Sequence, residues 1–353
     1  MRVTGVAQRD AWLARTFPPV EQVRPDLWSV PVPIPDSPLR YTLTYLLTAG
    51  SRLIVVDPGW DTEATWRALV DGLAAIGASP ADTTGVVVTH IHPDHHGLSA
   101  RLRDASGAWV AMHPVERDTL AALRWQGDRT SDEDARWLRQ CGVPDDVAAE
   151  ITMRVEADHP FAAMADPDLL LAHGDLVPLP GRRVRAVHTP GHTPGHLCLH
   201  EEAQDVLLTG DHVLPRISPS VAVHVQQPDN PLADFLDALA RVRDMDIDEV
   251  LPAHEWRFRG LAPRVDELLE HHRRRLDETE AAITASPGIT CWETTLRLRW
   301  SRDWSEIHGF MRRAAVGETL AHLVLLERSG RVHSSGERPV QWYPLAKGER
   351  AAG

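Results

Sequence analysis

The sequence predicts an α/β protein, and three observations support this class. Residues 53–56 form an apolar run, LIVV, that ends at an Asp-Pro-Gly turn, and residues 85–88 form a second run, GVVV. The stretch between them has apolar side chains at helical spacing. Short strand-like runs followed by histidine or aspartate return between residues 168 and 255. Strand, helix and strand in succession indicate a sheet with helices packed on it, and such folds place their sites at strand ends.

The individual elements are clearest in the first part of the chain. Residues 41–57 predict two strands around a turn at residues 49–51. Residues 61–77 predict a helix that Gly77 ends. Its apolar residues recur three or four positions apart, at Trp66, Leu69, Val70, Leu73 and Ile76. Residues 84–90, TGVVVTH, then predict a buried strand.

Residues 115–170 interrupt this rhythm and predict three successive helices, over 115–128, 131–142 and 144–159. We interpret them as a helical insertion in a catalytic domain that covers residues 1–262, because they are short and lie between two strand-rich parts. Residues 263–353 contain charged helical stretches followed by a short hairpin. They predict a small C-terminal domain that is helical and winged-helix-like.

Composition excludes some classes of function. Acidic residues outnumber basic ones by 50 to 37, for a net charge of −13, which disfavours non-specific binding to nucleic acid. The three cysteines, Cys141, Cys198 and Cys291, are far apart and have no metal-binding or redox spacing, which favours a reducing compartment. No stretch has the length of a signal peptide core or a membrane span. We therefore expect a cytoplasmic protein with no membrane partner.

The densest chemical signal is the stretch VVVTHIHPDHHGLS, residues 86–99. His90 and His92 are two apart at the end of an extended segment, so their side chains point the same way. Asp94 and His95 follow Pro93, a residue favoured in the first turn of a helix, and can face the same cavity. Two histidines plus a third make a zinc site with an open position, and a second metal would take carboxylate and imidazole.

The remaining ligands are expected downstream, each after a short apolar strand. AVHTPGHTPGHLCL offers His188, His192 and His196, DVLLTGDHVL offers Asp211, and DEVLPAHEW offers His254. One histidine after a strand is more often structural, but four clusters at strand ends favour a metal centre.

This ordered set resembles the metallo-β-lactamase superfamily. The resemblance rests on His-x-His-x-Asp-His at residues 90–95, TPGHTPGH, TGD and PAH, and it spans about residues 45–255. It implies an αββα sandwich with the metals at one edge. It further implies that His90, His92 and His192 bind one metal, that Asp94, His95 and His254 bind the other, and that Asp211 bridges them. Asp57 matches a family position that supports the site.

The TPGHTPGH spelling and the C-terminal helices look like the glyoxalase II and LACTB-type branch of ester and thioester hydrolases. No cysteine stands at a ligand position, unlike in β-lactamases whose second site uses one. The resemblance implies two Zn²⁺ ions, with iron or manganese as alternatives because these ligands discriminate weakly. A shared hydroxide would attack an ester or thioester carbonyl, and Asp94 is the residue we expect to orient it and move its proton.

The substrate stays open at this point: a coenzyme A, glutathione or acyl-carrier thioester, a lactone or a simple ester. Arg216 is the only Asp, Glu, Lys or Arg between His212 and Gln227. It is a candidate to bind a substrate carboxylate or phosphate, and a solvent-facing role is the alternative.

Two other functions compete with hydrolysis. A persulfide dioxygenase resembles this fold but uses one iron, and the full second set of ligands counts against it. A nuclease or nucleic-acid-binding protein is the other, but residues 264–331 hold 11 Arg and 11 acidic residues, so they lack a basic face. A packing or homodimerisation role suits this region better.

The other histidines are expected to be structural. We expect His196 to brace its loop by hydrogen bonds and His96 to point away from the metals. His271, His272 and His322 lie on charged helices, where exposure to solvent is the expectation.

Overall fold

In the computed structural model, the chain divides into two compact units. The structure describes residues 1–152, 160–227, 229–336 and 338–345, with the side chains of residues 125–131 excepted. The first unit comprises Met1–Arg124, Asp158–Pro219 and Ala238–Asp266; the second comprises Trp125–Ala157, Ser220–Asp237 and Glu267–Gly353. These units differ from the two consecutive domains expected, 1–262 and 263–353, because much of the helical insertion groups with the C-terminal segment.

The first unit contains two β-sheets. One sheet has seven strands in the order β2-β3-β4-β5-β6-β7-β8. These strands are β2 (Glu21–Arg24), β3 (Leu27–Pro33), β4 (Tyr41–Ala49), β5 (Arg52–Val56), β6 (Gly85–Val87), β7 (Trp109–Met112) and β8 (Leu169–Leu170). The other sheet has six strands in the order β1-β13-β12-β11-β10-β9. They are β1 (Arg2–Val3), β9 (Val184–His188), β10 (Leu197–Glu201), β11 (Val206–Gly210), β12 (Glu249–Pro252) and β13 (Phe258–Arg259).

Apolar side chains on both faces explain why the central strands read as continuous apolar runs. In β5, Ile54 and Val56 belong to a core shared with strands of the second sheet, whereas Val55 belongs to a core on the opposite face. Successive side chains of a strand point to opposite faces, so a strand buried on both sides shows no polar alternation. The first sheet therefore packs against the second sheet on one face and against helices on the other.

Ten α-helices occur among the described residues, and two of them cover the outer face of the first sheet. They are α1 (Val6–Ala14), α2 (Glu63–Ala75), α3 (Pro93–His96), α4 (Ser99–Ser106), α5 (Pro114–Gln140), α6 (Asp145–Ile151), α7 (Pro231–Arg243), α8 (Leu261–Ala285), α9 (Cys291–Arg297) and α10 (Gly309–Arg328). Leu69 and Leu73 of α2 and Leu102 of α4 pack in the outer core. The predicted helix over 61–77 is thus confirmed as α2. Within the described residues, no helix is both long and apolar enough to cross a bilayer.

The helical insertion differs in detail from the prediction. The first two expected helices are one continuous helix, α5, because no proline separates residues 115 and 143 and Gly127 alone costs only about 1 kcal/mol. The third is confirmed over the seven residues of α6, and residues 153–159 of that prediction lie outside the described residues.

The second unit has its own core and its own small sheet. Strands β14 (Ile289–Thr290), β15 (Val332–Ser334) and β16 (Gln341–Pro344) form this sheet in the order β14-β16-β15. Trp137 and Leu138 of α5 pack in one core with Val316 and Leu323 of α10. The insertion has an apolar face that the C-terminal helices bury, which is the physical reason the two segments form one unit.

The expectation that His272 and His322 are exposed is wrong. His272 is 1% exposed and His322 is fully buried. Nδ1 of His322 donates to the carbonyl of Glu318 at 2.8 Å, so its Nε2 can accept from Nδ1 of His272 at 3.3 Å. The two neutral imidazoles are joined by this hydrogen bond, so both rings can be buried although α8 and α10 carry many charged residues.

We expect this histidine pair to make the second unit sensitive to acid. Burial lowers the pKa of His322 to about 4, with the nearby Arg275 acting in the same direction. The unfolded chain binds a proton on this residue below about pH 6.5 while the folded chain does not. The contribution of His322 to the free energy of unfolding is therefore fully present above about pH 6.5. It is smaller by about 2 kcal/mol at about pH 5.

Urea denaturation of the chelator-treated protein at about pH 7 and pH 5 measures this loss. The variant His322→Asn should lose less stability on acidification than the wild-type protein does. An identical loss in both proteins would show that His322 does not titrate on unfolding.

Candidate metal centre

The predicted ligands lie where strands of the two sheets end. His90 and His92 follow β6, and Pro93 begins the single turn α3, which carries Asp94 and His95. In the second sheet, His192 follows β9, Asp211 follows β11 and His254 follows β12. All seven belong to the first unit. The ends of β6, β9, β11 and β12, which carry the predicted ligands, therefore lie close together.

Three histidines form the first cluster. Nε2 of His90 and Nε2 of His192 each lie 3.0 Å from Nδ1 of His92. Nδ1 of His90 faces the hydroxyl of Thr89 at 3.1 Å, and that hydroxyl donates to Asp57. The hydroxyl therefore accepts from His90, which leaves Nε2 of His90 unprotonated and aimed at the cluster.

Asp94, His95 and His254 form the second cluster. Oδ2 of Asp94 lies 3.5 Å from Nε2 of His95 and 3.4 Å from Nε2 of His254. The ligand atoms of each cluster lie within 4.8 Å of one another. One carboxylate with two imidazoles is a donor set that suits a divalent ion such as zinc, iron or manganese.

Asp211 lies between the two clusters. Its Oδ2 is 3.6 Å from Nε2 of His192, in the first cluster. Its Oδ1 is 3.1 Å from Nε2 of His254 and 3.5 Å from Nε2 of His95, in the second cluster. One oxygen faces each side, which is the arrangement a bridging ligand needs.

Unsatisfied buried atoms test whether these residues fit metal ions. Nε2 of His95, Nε2 of His254 and Oδ1 of Asp211 are buried, and their mutual contacts lack hydrogen-bond geometry. The other ring nitrogens are engaged, because Nδ1 of His95 donates to Asp57 at 2.9 Å and Nδ1 of His254 donates to the Tyr41 carbonyl at 3.0 Å. Buried polar atoms without hydrogen-bond partners are costly, so the site fits cations.

Asp57 and His196 hold the ligands in place. Asp57 has a left-handed backbone, with φ of 54°, and its carboxylate accepts from the backbone N–H and the hydroxyl of Thr89, both at 2.8 Å. His196 accepts the backbone N–H of Asp211 at Nε2, 3.1 Å away. At Gly210, a Cβ would lie 2.7 Å from that nitrogen, so only glycine fits there. His196 thus braces the loop, as predicted.

The two clusters differ in charge. Burial lowers the pKa of His92 to about 3, and His192 acts in the same direction, so this imidazole is neutral at pH 7. Burial would raise the pKa of Asp94, but His95 and His254 more than offset it and hold that pKa at about 2. The first cluster therefore offers neutral nitrogen donors, and the second offers an ionised carboxylate.

Arg216 does not join the seven ligands. Its guanidinium donates from Nε to Oε1 of Glu255 at 2.8 Å, and its backbone N–H donates to Oε2 at 3.1 Å. Glu255 follows His254 and is fully buried, whereas the Arg216 side chain is 54% exposed. The structure thus gives Arg216 a carboxylate partner that the sequence pattern did not indicate, and about half of its side chain faces solvent.

The remaining histidines take structural positions. His96 is buried and donates from Nε2 to the carbonyl of Ala165 at 3.1 Å. His188 donates from Nε2 to the carbonyl of Pro194 at 2.9 Å, and its ring stacks on His113 with centroids 4.1 Å apart. These contacts agree with the predicted roles.

The fold and the histidine–aspartate centre define the class: a metallo-hydrolase of the metallo-β-lactamase superfamily. The family model "Metallo-beta-lactamase superfamily" matches residues 37–254, and the chain belongs to that family. The predicted α/β class and the family resemblance are thus confirmed.

Relatives and solved structures extend this match over most of the chain. The probable metallo-hydrolase YqjP of Bacillus subtilis is 23% identical over 329 residues, which cover 91% of this chain and 98% of that protein. The acyl-coenzyme A thioesterase MBLAC2 of Gallus gallus is 26% identical over 228 residues, 60% of this chain and 71% of that protein. The crystal structure of a metallo-β-lactamase family protein from Thermus thermophilus superposes with a TM-score of 0.77 at 30% identity. This superposition covers 92% of this chain and all of that one.

Proposed function

We propose that this protein is a binuclear metal-dependent hydrolase that cleaves an acyl thioester or ester bond. The observation that carries the proposal is the position of Asp211, whose two oxygens face two separate clusters of metal-binding side chains. His90, His92 and His192 would hold one divalent ion, and Asp94, His95 and His254 would hold the other. When bound, two such ions would lower the pKa of water, polarise the carbonyl and stabilise the leaving group.

The chain's own residues suit a nucleophile that comes from water. All three cysteines are buried, and burial raises the pKa of the Cys198 thiol to about 12. This thiol is therefore inert at neutral pH, because the thiolate is the reactive form. Asp94 is ionised and its side chain is 14% exposed, so its carboxylate can orient an attacking water and take its proton.

A thioester is the substrate class we favour. The similarity to a protein named as an acyl-coenzyme A thioesterase supports it. The net charge of −13 favours a small or carrier-bound acyl compound over nucleic acid. Zinc is the metal we propose, because His and Asp donors with open positions suit it.

Metal analysis and a hydrolysis assay test the proposal together. The purified protein should contain about two zinc ions per chain. It should release thiol from acyl-coenzyme A or acyl-glutathione, followed with a thiol reagent, while the Asp211→Ala variant releases none. One iron per chain with oxygen uptake on glutathione persulfide would favour the dioxygenase alternative. A metal-loaded protein inactive on thioesters, esters and lactones would refute hydrolysis of this bond class.

A further inference from the structure

A buried carboxylate outside the ligand set lies close to both histidine loops. Glu116 is in the first turn of α5 and is fully buried. Transfer of a carboxylate from water into a protein interior is costly unless hydrogen bonds compensate for it. We therefore expect Glu116 to accept hydrogen bonds that offset this free-energy cost.

Those partners are backbone groups of the two loops that carry the first cluster. The N–H of Ile91 donates to Oε2 of Glu116 at 2.8 Å, and Ile91 stands between His90 and His92. The N–H of Gly195 donates to Oε1 at 2.6 Å, three residues after His192. A single rigid carboxylate thus joins the loop after β6 to the loop after β9.

The packing around Gly195 shows how closely the second loop approaches α5. A Cβ at this position would lie 2.8 Å from both Cγ and the backbone nitrogen of Glu116. Any larger residue would push the loop away from the carboxylate. The close approach of the two segments therefore requires glycine at position 195.

We propose that Glu116 is a positioning residue that sets the spacing of the three-histidine cluster. It holds His90 and His92 on one loop, and His192 on the other, at the separation one ion requires. This role rests on the proposed metal function. Glu116 is not one of the seven candidate ligands, so it acts through the two backbone N–H groups.

The variant Glu116→Gln tests this role in the full chain. An amide keeps the shape, but its NH₂ group cannot accept from a backbone N–H, so one of the two links is lost. We expect one of the two ions to bind about 10–100-fold more weakly, as found for residues that orient metal ligands. Chelator competition with Co²⁺ measures the affinity, and the visible cobalt spectrum reports the ligand geometry.

Glu201→Gln is the matched control. Glu201 is 1% exposed and accepts the backbone N–H of Gln204 at 2.8 Å, but it lies in β10, outside both histidine loops. We expect this variant to bind two cobalt ions with the wild-type affinity and spectrum. The unfolding midpoints of both metal-free variants measure whether they are folded.

The outcomes separate this role from the proposed function. An unchanged cobalt spectrum and affinity in Glu116→Gln, or an equal loss in Glu201→Gln, would overturn the role of Glu116 alone. A wild-type protein that takes up no cobalt would overturn the metal function and this role with it. If Glu116→Gln does not fold, Glu116→Asp replaces it, because aspartate withdraws the carboxylate by one methylene. This variant should bind one of the two cobalt ions more weakly, and unchanged binding of both ions would refute the role.

Discussion

Replacement of Asp94 with asparagine is expected to lower kcat for thioester hydrolysis by about a thousand-fold. Asparagine keeps an oxygen that can face His95 and His254, but it carries no negative charge and cannot take a proton. The nearby imidazoles hold the pKa of Asp94 at about 2, so the wild-type carboxylate is ionised throughout the neutral range. Steady-state kinetics of the metal-loaded variant measure the effect.

The control for this variant is Asp104→Asn, which changes an exposed carboxylate in α4. It should retain wild-type kcat and metal content. If Asp94→Asn keeps two ions and works within about ten-fold of wild type, Asp94 does not carry the proton transfer.

Removal of the metal ions should abolish turnover and lower the stability of the first unit. An ion present at a thousand times its Kd stabilises the folded state by about 4 kcal/mol. The metal-free site leaves the carboxylates of Asp94 and Asp211 close together and keeps three buried polar atoms unsatisfied. Thermal unfolding with and without a chelator measures the change.

The variant Asp211→Ala serves as the comparison for that experiment. Because it lacks the bridging carboxylate, the chelator should shift its unfolding midpoint much less than it shifts the wild-type midpoint. Zinc should restore both stability and turnover to the chelated wild-type protein. Equal unfolding midpoints with and without the chelator would contradict a metal role in this cluster.

The candidate ligands could be named from the sequence because their immediate neighbours determine their local geometry. His90 and His92 follow the short strand β6, and Pro93 starts the turn that presents Asp94 and His95. His192, Asp211 and His254 each follow a short apolar strand, which is also a local signal. Their assignment to two separate ions came from the family resemblance and stays a prediction.

The supporting residues could not be named in this way. Glu116 is 24 residues from His92, and its partners Ile91 and Gly195 are 104 positions apart in the sequence. The local sequence HPVE, residues 113–116, does not indicate whether the carboxylate of Glu116 at the start of the helix is buried or exposed. The only local signal was a fifth strand end followed by polar residues, at β7. The pairing of Arg216 with Glu255 could not be predicted from the sequence either, although Glu255 directly follows the candidate ligand His254.

Helix exposure was the other point on which local patterns misled. The charges around His272 and His322 predict a solvated face, yet the two rings lie buried against each other. The apolar faces of α5 and α10 meet in one core, which joins segments that the sequence separates by more than a hundred residues. Burial depends on which surfaces meet, and periodicity within one helix does not contain that information.

By itself the sequence determined the α/β class and the strand ends that carry candidate ligands, because period, turn chemistry and short spacing act over a few residues. The choice of the seven ligands came from the resemblance of the sequence to the family. Only the tertiary structure decided that four strand ends meet at one place, that a buried glutamate joins two of their loops, and that the insertion shares a core with the C-terminal helices. Those features depend on long-range packing, whose free energy is set by surfaces far apart in the chain.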